Sequence, residues 1–391
     1  MATGGLALLL SPAVQPHTFP GLNTIGKVVY IIDLVLFTLI TIAITYRFLR
    51  FHGTFTASLT HPTESLLSPT ILLSLASIIA AIARYGIPSC GPWLITVYRT
   101  LFWIYFSITF LTAVGQYTLL FTSPALKIED MTPAWDLPIF PFMLSGTIAA
   151  TGAQYQPPDQ AIPMIVAGLT AQGLGFLVSI LMYASYIRRM IQFGFPGPDA
   201  RPAMFIAVGP PAFTSLALLG MANAWPKTNN YNFFATSPPI PSTTTAPLTT
   251  AQQLQITTQI MHVLSGTTAI FIWSLSFWFF CIALSATLLA ARAHTLKFHL
   301  NWWSFVFPNV GLTIATINIG KLLQSEGVMW VGSVMTVCLV GTYFFVLVMN
   351  GRAVWRGEIL GEGRDEDVYS FVGLSKSPRA VVGNGDVEKR D

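Results

Sequence analysis

The sequence predicts an all-α polytopic membrane protein, on three observations. Of 391 residues, 53% are hydrophobic and 9% charged, against about 25% charged in soluble domains. Apolar runs of about twenty residues, the length a ~30 Å hydrocarbon core requires, recur between short polar breaks. The body is also basic. Up to Gly357 there are fifteen Lys/Arg and eight Asp/Glu, whereas Glu358–Asp391 has five and eight.

Nine full spans are expected: Ile25–Phe48, Pro69–Tyr85, Trp93–Phe121, Leu137–Gln154, Ile162–Ile191, Pro202–Asn223, Ile256–Ala290, Trp302–Gly320 and Val328–Asn350. Ahead of them, Met1–Ser11 offers about ten membrane-compatible residues, half of a span. It reads either as a short re-entrant piece or as the end of a truncated first helix. Without a basic n-region it does not read as a signal peptide. Counting it gives ten helices, taken as five hairpins around a central pore, with residues 1–357 as one membrane domain. Residues 226–252, rich in Pro, Ser and Thr, are expected to form a flexible external loop. The acidic tail 358–391 is expected to be disordered.

Basic residues follow the even spans: Arg47 and Arg50, then Arg188, Arg189 and Arg201, then Arg292 and Lys297, then Arg352 and Arg356. The positive-inside rule makes these connections and the carboxyl terminus cytoplasmic. The connection after span four (Lys127, Glu129, Asp130, Asp136) dissents.

Proline segregates among the spans. Span five carries Pro138 and Pro141, span seven Gly209-Pro210-Pro211 and span nine Pro308. The even spans are longer, richer in Leu, Ile and Phe, and read as free of proline. A proline frees the carbonyl four residues back, here those of Leu137, Ile206 and Ser304. Such carbonyls are tolerated at membrane depth only against protein or water. The expectation is therefore inner, kinked helices lining a pore, ringed by outer, lipid-facing ones. Pore-lining candidates are Thr3 and Gly4 in the fragment and Pro141, Ser145 and Gly146 in span five. Gly209, Pro210 and Thr214 come from span seven, and Pro308, Asn309 and Thr313 from span nine. The blander reading is that Pro and Gly are common in membrane helices. It does not explain their alternation.

Charges inside the spans are few. Asp33 is the only acidic residue within one, and a mid-bilayer charge costs a few kcal/mol, about 2.5–3.5 on insertion scales. Lys27, six residues away, does not share its face. Arg99 is a candidate partner for Asp33 or for an anionic solute; Lys321, closing span nine, and Arg201, at the start of span seven, are further anion candidates. Arg201 reads as a cytoplasmic anchor before it reads as an anion site. Asp33 and His262 are the proton-carrier candidates, with a structural role as the plainer alternative for each. Cys281 and Cys338 are expected as inert packing residues, and Cys90 completes an odd set without CxxC spacing. Metalloenzymes need clustered ligands, hydrolases paired carboxylates and nucleotide-driven pumps a P-loop. The sequence offers none of these, so no enzyme, metal, cofactor or nucleic-acid partner is expected.

The segments MATGGLALLL, GLNTIGKVVYIIDLVLF, HPTES, MTPAWDLPIFPFMLSGTIA, RPAMFIAVGPPAF and WWSFVFPNVGLTIATINIG resemble the tellurite-resistance/dicarboxylate transporter family, of the voltage-dependent anion channel superfamily. The resemblance runs from Met1 to Trp355 and is nearest to the fungal malic acid transport proteins. Fungal sulfite efflux pumps and plant guard-cell slow anion channels are further members. It implies five hairpins around a pore, assembled as homotrimers in a lipid bilayer. It also implies a phenylalanine on the ninth helix that plugs the pore, matched here by Phe307. One departure is Met1-Ala2-Thr3-Gly4-Gly5, where a preceding half helix is absent and Ala2 takes a glycine position. The implied function is secondary transport of C4-dicarboxylates such as malate, with proton symport, at a fungal plasma membrane. A sulfite or other small-anion efflux pump, a gated anion channel and an incomplete, non-transporting protein are the alternatives.

Overall fold

A computed structural model describes residues 1–55, 58, 62–122, 128–226, 250–294 and 296–357. The acidic tail and most of the expected external loop lie outside them. The chain divides into Met1–Val346 and a second unit, Leu347–Asp391, whose described part is helical through Trp355.

Among the described residues ten principal helices form: α1 (Ala2–Leu9), α2 (Leu22–Arg50), α3 (Thr70–Ala81), α4 (Trp93–Thr122), α5 (Phe140–Gly152), α6 (Pro158–Phe193), α7 (Gly209–Asn223), α8 (Thr250–Arg292), α9 (Phe307–Leu322) and α10 (Glu326–Trp355). A short helix, Pro62–Leu67, precedes α3, and a π-helical turn, Ile82–Gly86, extends it. Eight segments among the described residues are long and apolar enough to cross a membrane.

The odd helices form a closed inner ring in which α1 packs on α3, α3 on α5, α5 on α7, α7 on α9 and α9 on α1. Each of α2, α4, α6 and α8 lies outside, against its own hairpin partner and the next inner helix. α10 takes the fifth outer position: Gly332 packs on Ile317 of α9, and Tyr343 bonds Thr3 of α1. Small residues let the inner backbones approach, as membrane packing requires. Every residue of α1 and α5 is buried, whereas α2 buries only Leu22, Gly26 and Asp33.

The inner helices differ from the expected kinked spans. Pro141, Pro210 and Pro308 are each the second residue of an α-helix, behind 3-10 segments Pro133–Asp136, Pro198–Val208 and Leu300–Phe305. Proline at a first turn lacks only an N–H that would have no intrahelical acceptor. The Ile206 carbonyl, expected to be free, accepts the Gly209 N–H through the tighter 3-10 spacing. Nor are the even helices proline-free, since Pro163 lies inside α6, near its start. Cys281 and Cys338 are exposed on the outer helices α8 and α10 rather than packed. Asp136, counted as a loop charge, is fully buried.

Hydroxyls staple outer helices to inner ones. Tyr98 of α4 donates to the Ile148 carbonyl of α5 (2.7 Å) and pairs with Thr151 Oγ1 (3.0 Å). Tyr105 donates to the Pro141 carbonyl (2.8 Å), and Ser276 of α8 to that of Val208 (2.8 Å). Interhelical hydrogen bonds in membranes contribute about 0.6 kcal/mol each, so several are needed to hold one register. Gly152 lies directly beneath the Tyr98 ring, where a Cβ would overlap it. Gly152→Ala is therefore expected to displace Tyr98 from both partners and destabilise by ~1–3 kcal/mol. A lowered melting temperature of the detergent-solubilised protein checks this, and an unchanged one counts against it.

Candidate functional site

Halfway along the inner segments, where 3-10 gives way to α-helix, three phenylalanines meet. Phe307 of α9, 3% exposed, stacks on Phe213 of α7 at 5.1 Å between centroids and lies 6.3 Å from Phe140 of α5. Phe140 meets Phe213 edge-on at 5.8 Å. The phenylalanine singled out in the sequence thus packs against two others.

The pore-lining candidates are all on inner helices, but several turn their polar atoms elsewhere. Thr3 pairs with Tyr343 of the outer α10 (3.1 Å). Gly4 faces Asp33 and Ser77, and Gly146 faces Gln172 of α6. Thr214 donates to the Pro210 carbonyl (2.7 Å) and accepts from Gln172 (2.8 Å). Asn309 donates to the Phe305 carbonyl, and Thr313 to that of Asn309. By contrast, the buried Ser145 Oγ, Thr147 Oγ1 and Asn309 Oδ1 have no hydrogen-bond partner among the described residues. Gly209 lies beneath Phe140.

The charged candidates do not converge. Arg201 donates to the carbonyls of Pro196 (3.2 Å) and Ala286 (3.0 Å) and lies over Phe195; it is held as an anchor. Arg99, half-buried on the outer α4, has no ion pair or hydrogen bond among the described residues. Lys27 donates to Ser89 instead of approaching Asp33. Asp33 lies 3.8 Å from the Met1 amino nitrogen. His262 is half-buried on α8, and neither ion pair among the described residues joins it to Asp33.

At the C-terminal ends of the inner helices a cationic pair assembles that sequence reasoning half missed. Lys321 of α9 donates to the carbonyls of Ala13 (3.0 Å) and Val14 (2.7 Å), just past α1. Arg84, in the π-turn that ends α3, is near enough for its charge to act on Lys321. It also lies within electrostatic reach of Tyr85, Tyr98 and Tyr155. Its Nε has no hydrogen-bond partner, and neither of the ion pairs among the described residues includes it. α3 and α9 are the two inner neighbours of α1, and Lys321 reaches the segment that follows it. Helix C-termini carry partial negative charge, which the two cations oppose. The signal was available, since Arg84 is the only charged residue in span three.

Asp136 is the second residue missed. Its Oδ2 accepts from Ser179 Oγ (2.8 Å) and Tyr183 OH (3.1 Å), both of α6, while Oδ1 has no partner. Asp136 precedes the first turn of α5. Burial pushes its carboxyl up to about 7, against the two hydroxyl bonds, which lower it.

No cluster of three metal-ligating side chains occurs among the described residues. The family model described as voltage-dependent anion channel matches residues 1–350. The chain is 35% identical to the malic acid transport protein of Schizosaccharomyces pombe, over 94% of this chain and 80% of that one. It is 32% identical to a putative malic acid transport protein of the same organism, over 95% and 82%. To the sulfite efflux pump SSU1 of Trichophyton rubrum the identity is 25%, over 89% and 84%. An inner ring of small-residue helices inside an apolar outer shell, and a match over nearly the whole membrane body, lead to one conclusion: the chain belongs to the voltage-dependent anion channel family, as an anion-transport protein and not an enzyme.

Proposed function

We propose that this protein is a secondary transporter of C4-dicarboxylates such as malate, moving them through the inner ring with protons as co-solute. The observation that carries this reading is the 35% identity to a malic acid transport protein, sustained over 94% of the chain. The cationic pair supports it physically. A solute with two carboxylates suits two cations better than a single-centred anion does. A guanidinium binds a carboxylate through two parallel N–H donors, and an ammonium acts as a point charge. Arg84 and Lys321 are those two groups, and the free hydroxyls of Ser145 and Thr147 offer donors deeper in the ring.

The same reading places the protein in the plasma membrane as a homotrimer with a cytoplasmic carboxyl terminus. The thinly packed α2 leaves apolar faces for lipid or a second copy, and Arg352 and Arg356 suit the cytoplasmic side.

The test is uptake of labelled malate by a yeast without its own permease, at acid and neutral pH, with and without an uncoupler. Uptake that is stronger at acid pH and collapses with uncoupler is the expected result. Sulfite resistance without malate uptake makes the protein an efflux pump. Flux that follows voltage and ignores the uncoupler makes it a channel. Absence of any flux, with the protein present in the membrane, overturns all three.

A further inference from the structure

Asp136 is fully buried, and neither ion pair among the described residues includes it. It closes the 3-10 turn Pro133–Asp136, just ahead of the inner helix α5. Its Oδ2 accepts from Tyr183 OH (3.1 Å) and lies 2.8 Å from Ser179 Oγ. Ser179 has a single O–H, and the Gly175 carbonyl, at 2.9 Å, competes for it. Oδ1 has no partner among the described residues. A buried carboxylate that stays ionised is held by two or three full donors; this one has Tyr183 and a share of Ser179.

Ser179 and Tyr183 lie on one face of α6, which continues through Tyr186. The buried Tyr186 hydroxyl has no hydrogen-bond partner among the described residues. Arg189, one turn further, is near enough for its charge to act on Tyr186 and donates to the carbonyls of Glu129 (3.0 Å) and Gly194 (2.6 Å). No other neighbour supplies a counter-charge to Asp136. Tyr117 of α4 donates to the Trp135 carbonyl (3.2 Å), with its phenol in electrostatic reach of the carboxyl. The segment Pro198–Val208 packs on the turn and has Asp199 and Arg201 as its charged residues. Arg201 is held by the Pro196 and Ala286 carbonyls. Residues 65–67 of the short helix before α3, which also touches the turn, are uncharged.

We propose that Asp136 is the proton-binding site of coupled transport, loading one proton as the anion passes and releasing it along Tyr183 and Tyr186 to the Arg189 end of α6. The assignment rests on the symport reading above. On loading, a carboxylate oxygen forms an O–H bond; on release the same bond breaks and the proton passes to water at the helix end. Coupling follows from charge. The turn leads into an inner helix, so Asp136 stands within about one helix diameter, ~10 Å, of the ring interior. At that range and an effective dielectric of about 20, an ionised carboxylate lowers the occupancy of a dianion about tenfold or more. The neutral acid does not, so the solute passes with the proton bound. Burial, which pushes the carboxyl up to about 7, puts loading and release within the physiological range.

The experiment uses the full chain in proteoliposomes and two assays of labelled malate. One is exchange at equal pH on both sides. The other is accumulation driven by an acid-outside gradient, with and without a protonophore. Asp136→Asn is neutral at every pH. It is expected to keep exchange within about twofold of wild type while gradient-driven accumulation falls about tenfold or more. Its exchange should also lose the pH dependence of the wild type, and Asp136→Glu should restore part of the accumulation. Tyr183→Phe removes a donor to the ionised form, so its exchange should persist to about one pH unit higher than in wild type. Exchange and accumulation that fall together in Asp136→Asn mark a structural role and overturn the assignment. A coupled wild type beside an Asp136→Asn protein that still accumulates malate overturns it too, and leaves symport standing. A wild type that exchanges malate but ignores the gradient fails the symport reading, and the assignment with it. A wild type without malate exchange fails the dicarboxylate reading alone; sulfite then replaces malate in both assays and decides the assignment by the same comparison. Should Asp136→Asn not fold, Tyr183→Phe decides, and an unmoved pH profile of exchange overturns the assignment.

Discussion

Replacing Arg84 by glutamine is expected to raise the apparent KM for malate at least tenfold while leaving the amount of folded protein unchanged. The guanidinium sits in a π-helical turn, a geometry that recurs at functional sites, at the end of an inner helix. Its Nε has no protein acceptor. A half-buried cation with no counter-charge among the described residues favours an anion: at 4 Å and an effective dielectric of about 20 the attraction is about 4 kcal/mol. A tenfold loss needs only about 1.4 kcal/mol of it. Arg84→Lys keeps the charge but loses the planar fork, so partial recovery is expected. Lys321→Gln should cost less, because Lys321 is exposed and its ammonium is already engaged by two backbone carbonyls. A structural role gives a different result. The Arg84→Gln protein would then melt lower, and the fraction that remained folded would keep the wild-type KM.

Alternation of inner and outer helices was legible in the sequence because burial acts on composition. Pro, Gly, Ser and Thr collected at Pro141–Gly152, Gly209–Thr214 and Pro308–Thr316, and those stretches are the buried ones. The 3-10 segments were not legible, since a change from i→i+4 to i→i+3 bonding leaves no mark on composition. The prolines that announced a kink therefore turned out to start an α-helix. Cys281 and Cys338 were misplaced for a related reason. A helix facing lipid is apolar all round, so hydrophobicity does not separate its exposed face from its packed one. The cluster of three phenylalanines was hidden among 28, and only the tertiary pairing with Gly5, Gly209 and Gly311 picks it out. Arg84 was readable as a lone charge within a span, whereas Asp136 fell one residue outside one and passed for a loop charge. Its burial follows from the 3-10 turn that tucks the start of span five against α6.

The Asp136→Asn protein is expected to lose most of the pH dependence of stability seen in the wild type between pH 4 and pH 8. The carboxyl is 0% exposed, so the screening that weakens surface charges does not apply. Its folded value of about 7 lies above its ordinary 3.8. The native state therefore holds a proton that the unfolded chain gives up across this interval, and protonation favours folding. The stabilisation is complete below about pH 4, falls steadily as pH rises and is gone above about pH 7. Three pH units at 1.36 kcal/mol each make the full effect on the order of 4 kcal/mol. Asparagine keeps an oxygen to accept from Ser179 and Tyr183 and carries no charge at any pH. Melting temperatures in detergent should accordingly coincide for the two proteins below about pH 4 and be well separated at pH 8, with the variant the more stable. Other carboxylates titrate in both proteins, so the difference between the two curves isolates Asp136. Curves that stay parallel from pH 4 to pH 8 would mean that the carboxylate is charged in the folded protein throughout, and that the lone Oδ1 holds no proton.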